Sequence, residues 1–167
     1  AMPFYILYAD ARIGITGAML GVLTTIWMLT GTAANLVWGS IADRSGYRLV
    51  MIMTLTLWIA AHIQLLFVDG VLSVMGFFVL IGSASGGFNQ SRQNMVLELG
   101  RDADIPLRVA VSNMAVSTIS TVGPLVAGLI ISASGYTAVF VICILIQVVA
   151  LVVLIGWIPE PRHLRRP

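Results

Sequence analysis

The sequence predicts an all-α fold, a polytopic bundle of transmembrane helices, and three features carry that prediction. Hydrophobic residues make up 59% of the 167 positions and charged residues 10%, with a mean hydropathy of +0.99. The apolar residues fall into consecutive runs of about 20, the length at which a helix crosses roughly 30 Å of hydrocarbon. Those runs are continuous and rich in Leu, Ile, Val, Met, Gly and Ala, whereas a membrane β-barrel would show shorter strands of alternating polarity. A soluble domain is excluded.

Five complete spans are expected, at about 16–38, 49–68, 71–90, 109–134 and 136–158, and none contains Asp, Glu, Lys or Arg. Residues 3–9 are apolar but stop at Asp10 and Arg12, too soon to span anything. They read as the last turns of a sixth helix whose beginning is missing. Residues 159–167 form a basic tail. The apolar N-terminal stretch lacks the basic leader and small-residue cleavage site of a secretory signal.

All nine cationic residues are arginines, and their distribution orients the bundle. Arg44 and Arg48 follow the first span, Arg92, Arg101 and Arg108 the third, and Arg162, Arg165 and Arg166 the fifth; only Arg12 falls on the other side. By the positive-inside rule the arginine-rich side and the C-terminus are cytoplasmic, and a bacterial plasma membrane is the expected location. On the opposite side lie Asp69-Gly70 and a tight turn at Gly135.

Between the first two spans stands Gly39-Ser-Ile-Ala-Asp43-Arg44-Ser-Gly46-Tyr-Arg48. Gly46 suits the positive φ of a sharp reversal. Asp43 suits a helix N-terminus, and Arg44 and Arg48 suit anionic headgroups. This pattern resembles the cytoplasmic loop signature that joins the second and third helices of each six-helix half in the major facilitator superfamily. The resemblance extends over nearly the whole chain and favours the C-terminal half, through Pro3-Phe-Tyr-Ile-Leu-Tyr-Ala9, Val111-Ser-Asn113, Gly123-Pro124, Gly128, Gly135-Tyr136, Phe140 and Pro159-Glu-Pro-Arg162. N-terminal halves often carry an arginine in the fourth helix, and the third span here has none. The implied numbering makes the five spans helices eight to twelve. The resemblance further implies a transporter that moves a small solute by alternating access, with the N-terminal half of the same chain and the lipid bilayer as partners and with room for a coupling proton or ion.

Polarity divides the spans unevenly. Thr24, Thr25, Thr30, Thr32 and Asn35 lie in the first, Ser83, Ser85, Gly86, Gly87, Asn89 and Gln90 in the third, and Ser112, Asn113, Ser117, Thr118, Ser120 and Thr121 in the fourth. The fifth offers only Thr137, Cys143 and Gln147. Polar groups in lipid turn toward protein or a water-filled path, so the first, third and fourth spans are expected inside and the fifth against acyl chains. Candidate cavity residues are Thr24, Asn35, Asn89, Gln90 and Asn113, the amides above all, because each both donates and accepts. For most of the Ser and Thr the simpler reading is helix packing or a bond to their own helix, as it is for the glycine spacings Gly17 to Gly21 and Gly82 to Gly86. Gly123-Pro124 and Gly128 are expected to kink the fourth span or pack it closely. His62 is expected to hydrogen-bond between helices in preference to relaying protons.

An intramembrane hydrolase is the rival from another class. Ser83-Ala-Ser85-Gly86 comes within one residue of the serine motif of rhomboid-type proteases, but such a site needs a histidine on a later helix, and His163 lies in the tail. A structural membrane subunit without transport would explain the spans but not the signature. The chain carries no metal-ligand cluster, phosphate-binding loop or nucleic-acid motif, so no metal, cofactor or nucleic acid is expected.

Overall fold

Two glycines set the sharpest reversals of the chain, and the helices follow from them. In the computed structural model, which describes residues 2–98 and 104–158, Gly46 has φ 88° and Gly135 φ 80°. A side chain is disfavoured in that region, and each glycine therefore ends one helix and starts the next with no intervening loop. The elements are α1 (Met2–Ile13), α2 (Gly17–Ser45), α3 (Tyr47–Leu66), α4 (Val71–Glu98) and α5 (Ile105–Trp157). Gly135 divides α5 into a first limb, 105–134, and a second limb, 136–157. Among the described residues there is no strand. Helices cover the stretches expected to be the five spans, and a short helix precedes them. The tail, Arg101 and the 159–162 motif lie outside the described residues.

The expected ends of two spans shift. Residues 39–45 were read as a loop, yet α2 runs through them to Ser45, and the Gly46 N–H closes the helix on the Ala42 carbonyl at 2.8 Å. Ser-Ile-Ala-Asp-Arg contains nothing that breaks a helix, so polarity marks where the membrane stops and not where the helix stops. Likewise α4 continues eight residues beyond Gln90 to Glu98, because no glycine or proline interrupts Ser91 to Leu99. At about 1.5 Å per residue its 28 residues reach roughly 42 Å, well past the hydrocarbon. At the other end of the bundle α1 reaches Ile13, and the Asp10 carboxylate accepts from the Ile15 N–H at 2.7 Å to close the turn into α2.

Helix α4 is the hub. It packs along α2 on one side and α3 on another, and buries Phe77, Phe78, Ile81, Ala84, Gly87 and Met95. Helices α2 and α4 run in parallel in near backbone contact. A Cβ on Gly31 would stand 3.2 Å from the Gly82 carbonyl oxygen, and one on Gly86 would stand 2.5 Å from that of Gly31. The Gly82 to Gly86 spacing is thus a packing device, whereas Gly17 and Gly21 have nothing within 4 Å. Near the Gly135 end Tyr5 and Tyr8 insert α1 into an aromatic cluster. The Tyr5 ring lies 5.0 Å edge-on from Phe77 and the Tyr8 ring 4.9 Å edge-on from Phe140. The first limb of α5 stays exposed along most of its length, with Met114 and Ile119 each 70% accessible.

Candidate functional site

The structure brings the expected cavity amides to two places. Along the α2/α4 seam, the Asn35 side-chain oxygen lies 2.8 Å from where a Gly86 Cβ would stand, and the Gln90 amide nitrogen packs 3.2 Å from the corresponding point on Gly39. Gln90 is half-buried, and its Oε1 has no hydrogen-bond partner. Asn35 and Asn89 are exposed. Asn113 belongs elsewhere, in a cleft between the last turns of α4 and the start of α5. Thr24 donates to the Leu20 and Gly21 carbonyls at 2.8 and 3.0 Å. Thr25, Thr32, Thr118, Thr121 and Ser85 also bond within their own helices. Their hydroxyl protons are used, and only their oxygens can still accept.

The signature stretch is a helix end, a one-residue break and a helix start. Asp43 and Arg44 are exposed on the last turn of α2. Arg48 had been expected to face headgroups. Instead its Nη2 donates to the Ile155 carbonyl at 2.8 Å and its Nε to that of Leu154 at 3.4 Å. The guanidinium thereby caps the last turn of α5, where unsatisfied carbonyls and the negative end of the helix dipole favour a cation.

His62 is buried and bonds between helices. Its Nε2 accepts from the Tyr5 hydroxyl of α1 at 2.9 Å, and its Nδ1 donates to the Trp58 carbonyl at 2.8 Å. The Gln147 amide stands 3.4 Å from the same Nδ1. With the Gln147 amide turned over, its otherwise unpartnered Oε1 would accept from that N–H. Gln147, expected among acyl chains, is therefore turned toward α3. Even a peripheral helix must bury one face, and a lone amide goes there.

Gly123 and Gly128 have nothing within 4 Å of a built Cβ. Pro124 lies inside α5, but the only break in helical φ/ψ in α5 is at Gly135. That break is the expected reversal between the fourth and fifth spans, and the backbone at Pro124 itself stays helical.

The sequence reading overlooked Arg92. It was counted as a loop charge, but it lies within α4 and turns its guanidinium toward the first limb of α5, donating from Nη1 to Ser112 Oγ at 2.8 Å. Its Nε is buried without a hydrogen-bond partner. The cleft it lines has a volume of about 290 Å³ and is also lined by Gln93, Val96, Leu97, Val109, Ser112 and Asn113. Uninterrupted helix-forming residues from Ser91 to Glu98 were the signal that could have placed Arg92 on a helix face.

The chain thus combines a parallel glycine seam, a glycine break between α2 and α3, and helices long and apolar enough to span a bilayer. The family model described as Major Facilitator Superfamily matches residues 1–167. The chain belongs to the major facilitator superfamily. No curated protein and no solved structure matches it. Members of the superfamily are integral membrane transporters and not enzymes. Ser85 donates to its own helix at Ile81, and His62 is occupied by Tyr5 and Trp58, so no serine–histidine pair forms between them.

Proposed function

We propose that this superfamily chain is the C-terminal six-helix half of a secondary active transporter, moving a small solute by alternating access against an N-terminal half about a site near the bilayer midplane. The Gly46 end is the cytoplasmic one on the arginine count, in a bacterial plasma membrane. The observation that carries the reading is the division of polar groups. Asn35, Asn89 and Asn113 stand exposed on α2, α4 and the first limb of α5, while His62 of α3 and Gln147 of the second limb turn toward each other. An amide left on a membrane protein's outer surface is costly in lipid, so the exposed set belongs on a water-filled path. Thr24 and Gln90 border the same helices. No carboxylate stands in mid-membrane in these spans, which leaves a coupling proton or ion to groups beyond them.

Uptake or efflux curves for full-length variants normalised to protein level test this. Asn113→Ala and Asn89→Ala are expected to weaken apparent solute affinity on the order of tenfold or more, since a lost bond in a shielded site costs about 1–3 kcal/mol. Gln147→Ala is expected to affect folding alone. An affinity change confined to Gln147→Ala would invert the assignment of inner and outer helices.

A further inference from the structure

We infer that the cleft of Arg92, Ser112 and Asn113 is a binding site for an anionic oxygen group, a carboxylate or phosphate carried by the solute. This rests on the transporter reading and adds the chemical class of what passes. A guanidinium offers five donors in a planar fork. In Arg92 one of them holds Ser112 Oγ at 2.8 Å, and the buried Nε–H has no acceptor. A buried charged donor without an acceptor is costly, more so than a neutral one. The Nη1 bond to Ser112 fixes the plane of the fork and leaves the Nε edge for a second ligand. That edge suits two oxygens of one carboxylate or phosphate.

The surroundings favour an anion over a neutral carbonyl. Among the described residues that line the cleft, none is acidic. A second guanidinium, Arg108, donates to the carbonyl of the cleft residue Val96 and to that of Asp104, each at 3.4 Å. The Asn113 amide also lines the cleft and adds a neutral donor and acceptor beside the Arg92 guanidinium. A volume of about 290 Å³ sits at the small end of ligand sites, enough for one charged group of a solute. At the edge of a low-dielectric slab the attraction between such groups is stronger than in water.

The test uses the full-length protein with Cys143→Ala and Gln93→Cys, reconstituted in phosphatidylcholine vesicles, and follows the rate at which a water-soluble maleimide labels Cys at 93. Inorganic phosphate or acetate is expected to slow labelling severalfold relative to chloride at equal ionic strength. Arg92→Gln is expected to raise the protecting concentration about tenfold or more, and Arg92→Lys less. Should Arg92→Gln fail to insert, Ser112→Ala is expected to weaken protection in the same direction by releasing the fork. Equal labelling in phosphate, acetate and chloride would overturn the site. Protection by phosphatidylglycerol vesicles alone, with none from free phosphate or acetate, would assign the cleft to lipid headgroups and overturn the solute reading. Transport assays on the Asn89 variant, which lies outside the cleft, fail or succeed separately, so loss of the transporter reading and loss of the anion site are distinguishable.

Discussion

Gly87 shows how little room the seam leaves. A methyl group there would stand 2.6 Å from both the Trp38 ring and the Thr54 methyl, and the Trp38 indole is fixed by its bond to the Ser83 carbonyl at 2.9 Å. Neither neighbour is the free end of a flexible chain. Overpacking of this kind costs about 1–3 kcal/mol, more than the fraction of a kcal/mol to about 1 kcal/mol that alanine regains over glycine in a helix. Gly87→Ala is therefore expected to lower the thermal unfolding midpoint of the purified protein, and an unchanged midpoint would show that α4 is not held this closely. His62 makes the complementary point. Its sequence position suggested an interhelical bond, but the partners Tyr5 and Gln147, 57 and 85 residues away, appear only once α1, α3 and α5 are packed.

At the level of elements the signature carries two separable tasks. Arg48 caps α5, so Arg48→Gln is expected to destabilise by about 1 kcal/mol or less for a part-exposed bond to carbonyls, seen as a lower unfolding midpoint. Asp43, exposed on the last turn of α2, is proposed to steady one access state against a helix N-terminus or an arginine of the other half. Asp43→Asn is expected to slow transport by the full-length protein while expression holds; wild-type rates would reduce the stretch to a turn. The helices themselves were legible because continuous apolar runs and the glycines between them state both length and breaks. Helix ends were not, since hydropathy registers the bilayer and passes over polar turns such as Ser40 to Ser45 and Ser91 to Glu98 that remain helical. Of the site, the amides were visible as residue types, but their division between a seam and a cleft was not. That division depends on which face of α4 each neighbour covers, and the cleft's chief cation was hidden by the same misplaced helix end.

At the scale of the whole molecule, the proposed topology has five spans alternating across the bilayer, with the Gly46 end inside on the arginine count. On a Cys143→Ala background, Asp69→Cys is expected to react with a membrane-impermeant thiol reagent in intact cells. Ser45→Cys, exposed at the end of α2 beside the glycine that tolerates no side chain, is expected to react only after permeabilisation. The reverse pattern would overturn the orientation. The α2/α4 seam also bears on leakage. A carrier that opens to either side in turn dissipates an ion gradient if water ever threads between its helices. Where Gly31 meets Gly82 and Gly86 backbone faces backbone, and even an added methyl carbon would lie only 2.5–3.2 Å from the carbonyl oxygens opposite. A water molecule, about 1.4 Å in radius, finds no width there. On the transport reading proposed above, the seam acts as an insulating wall at these glycines.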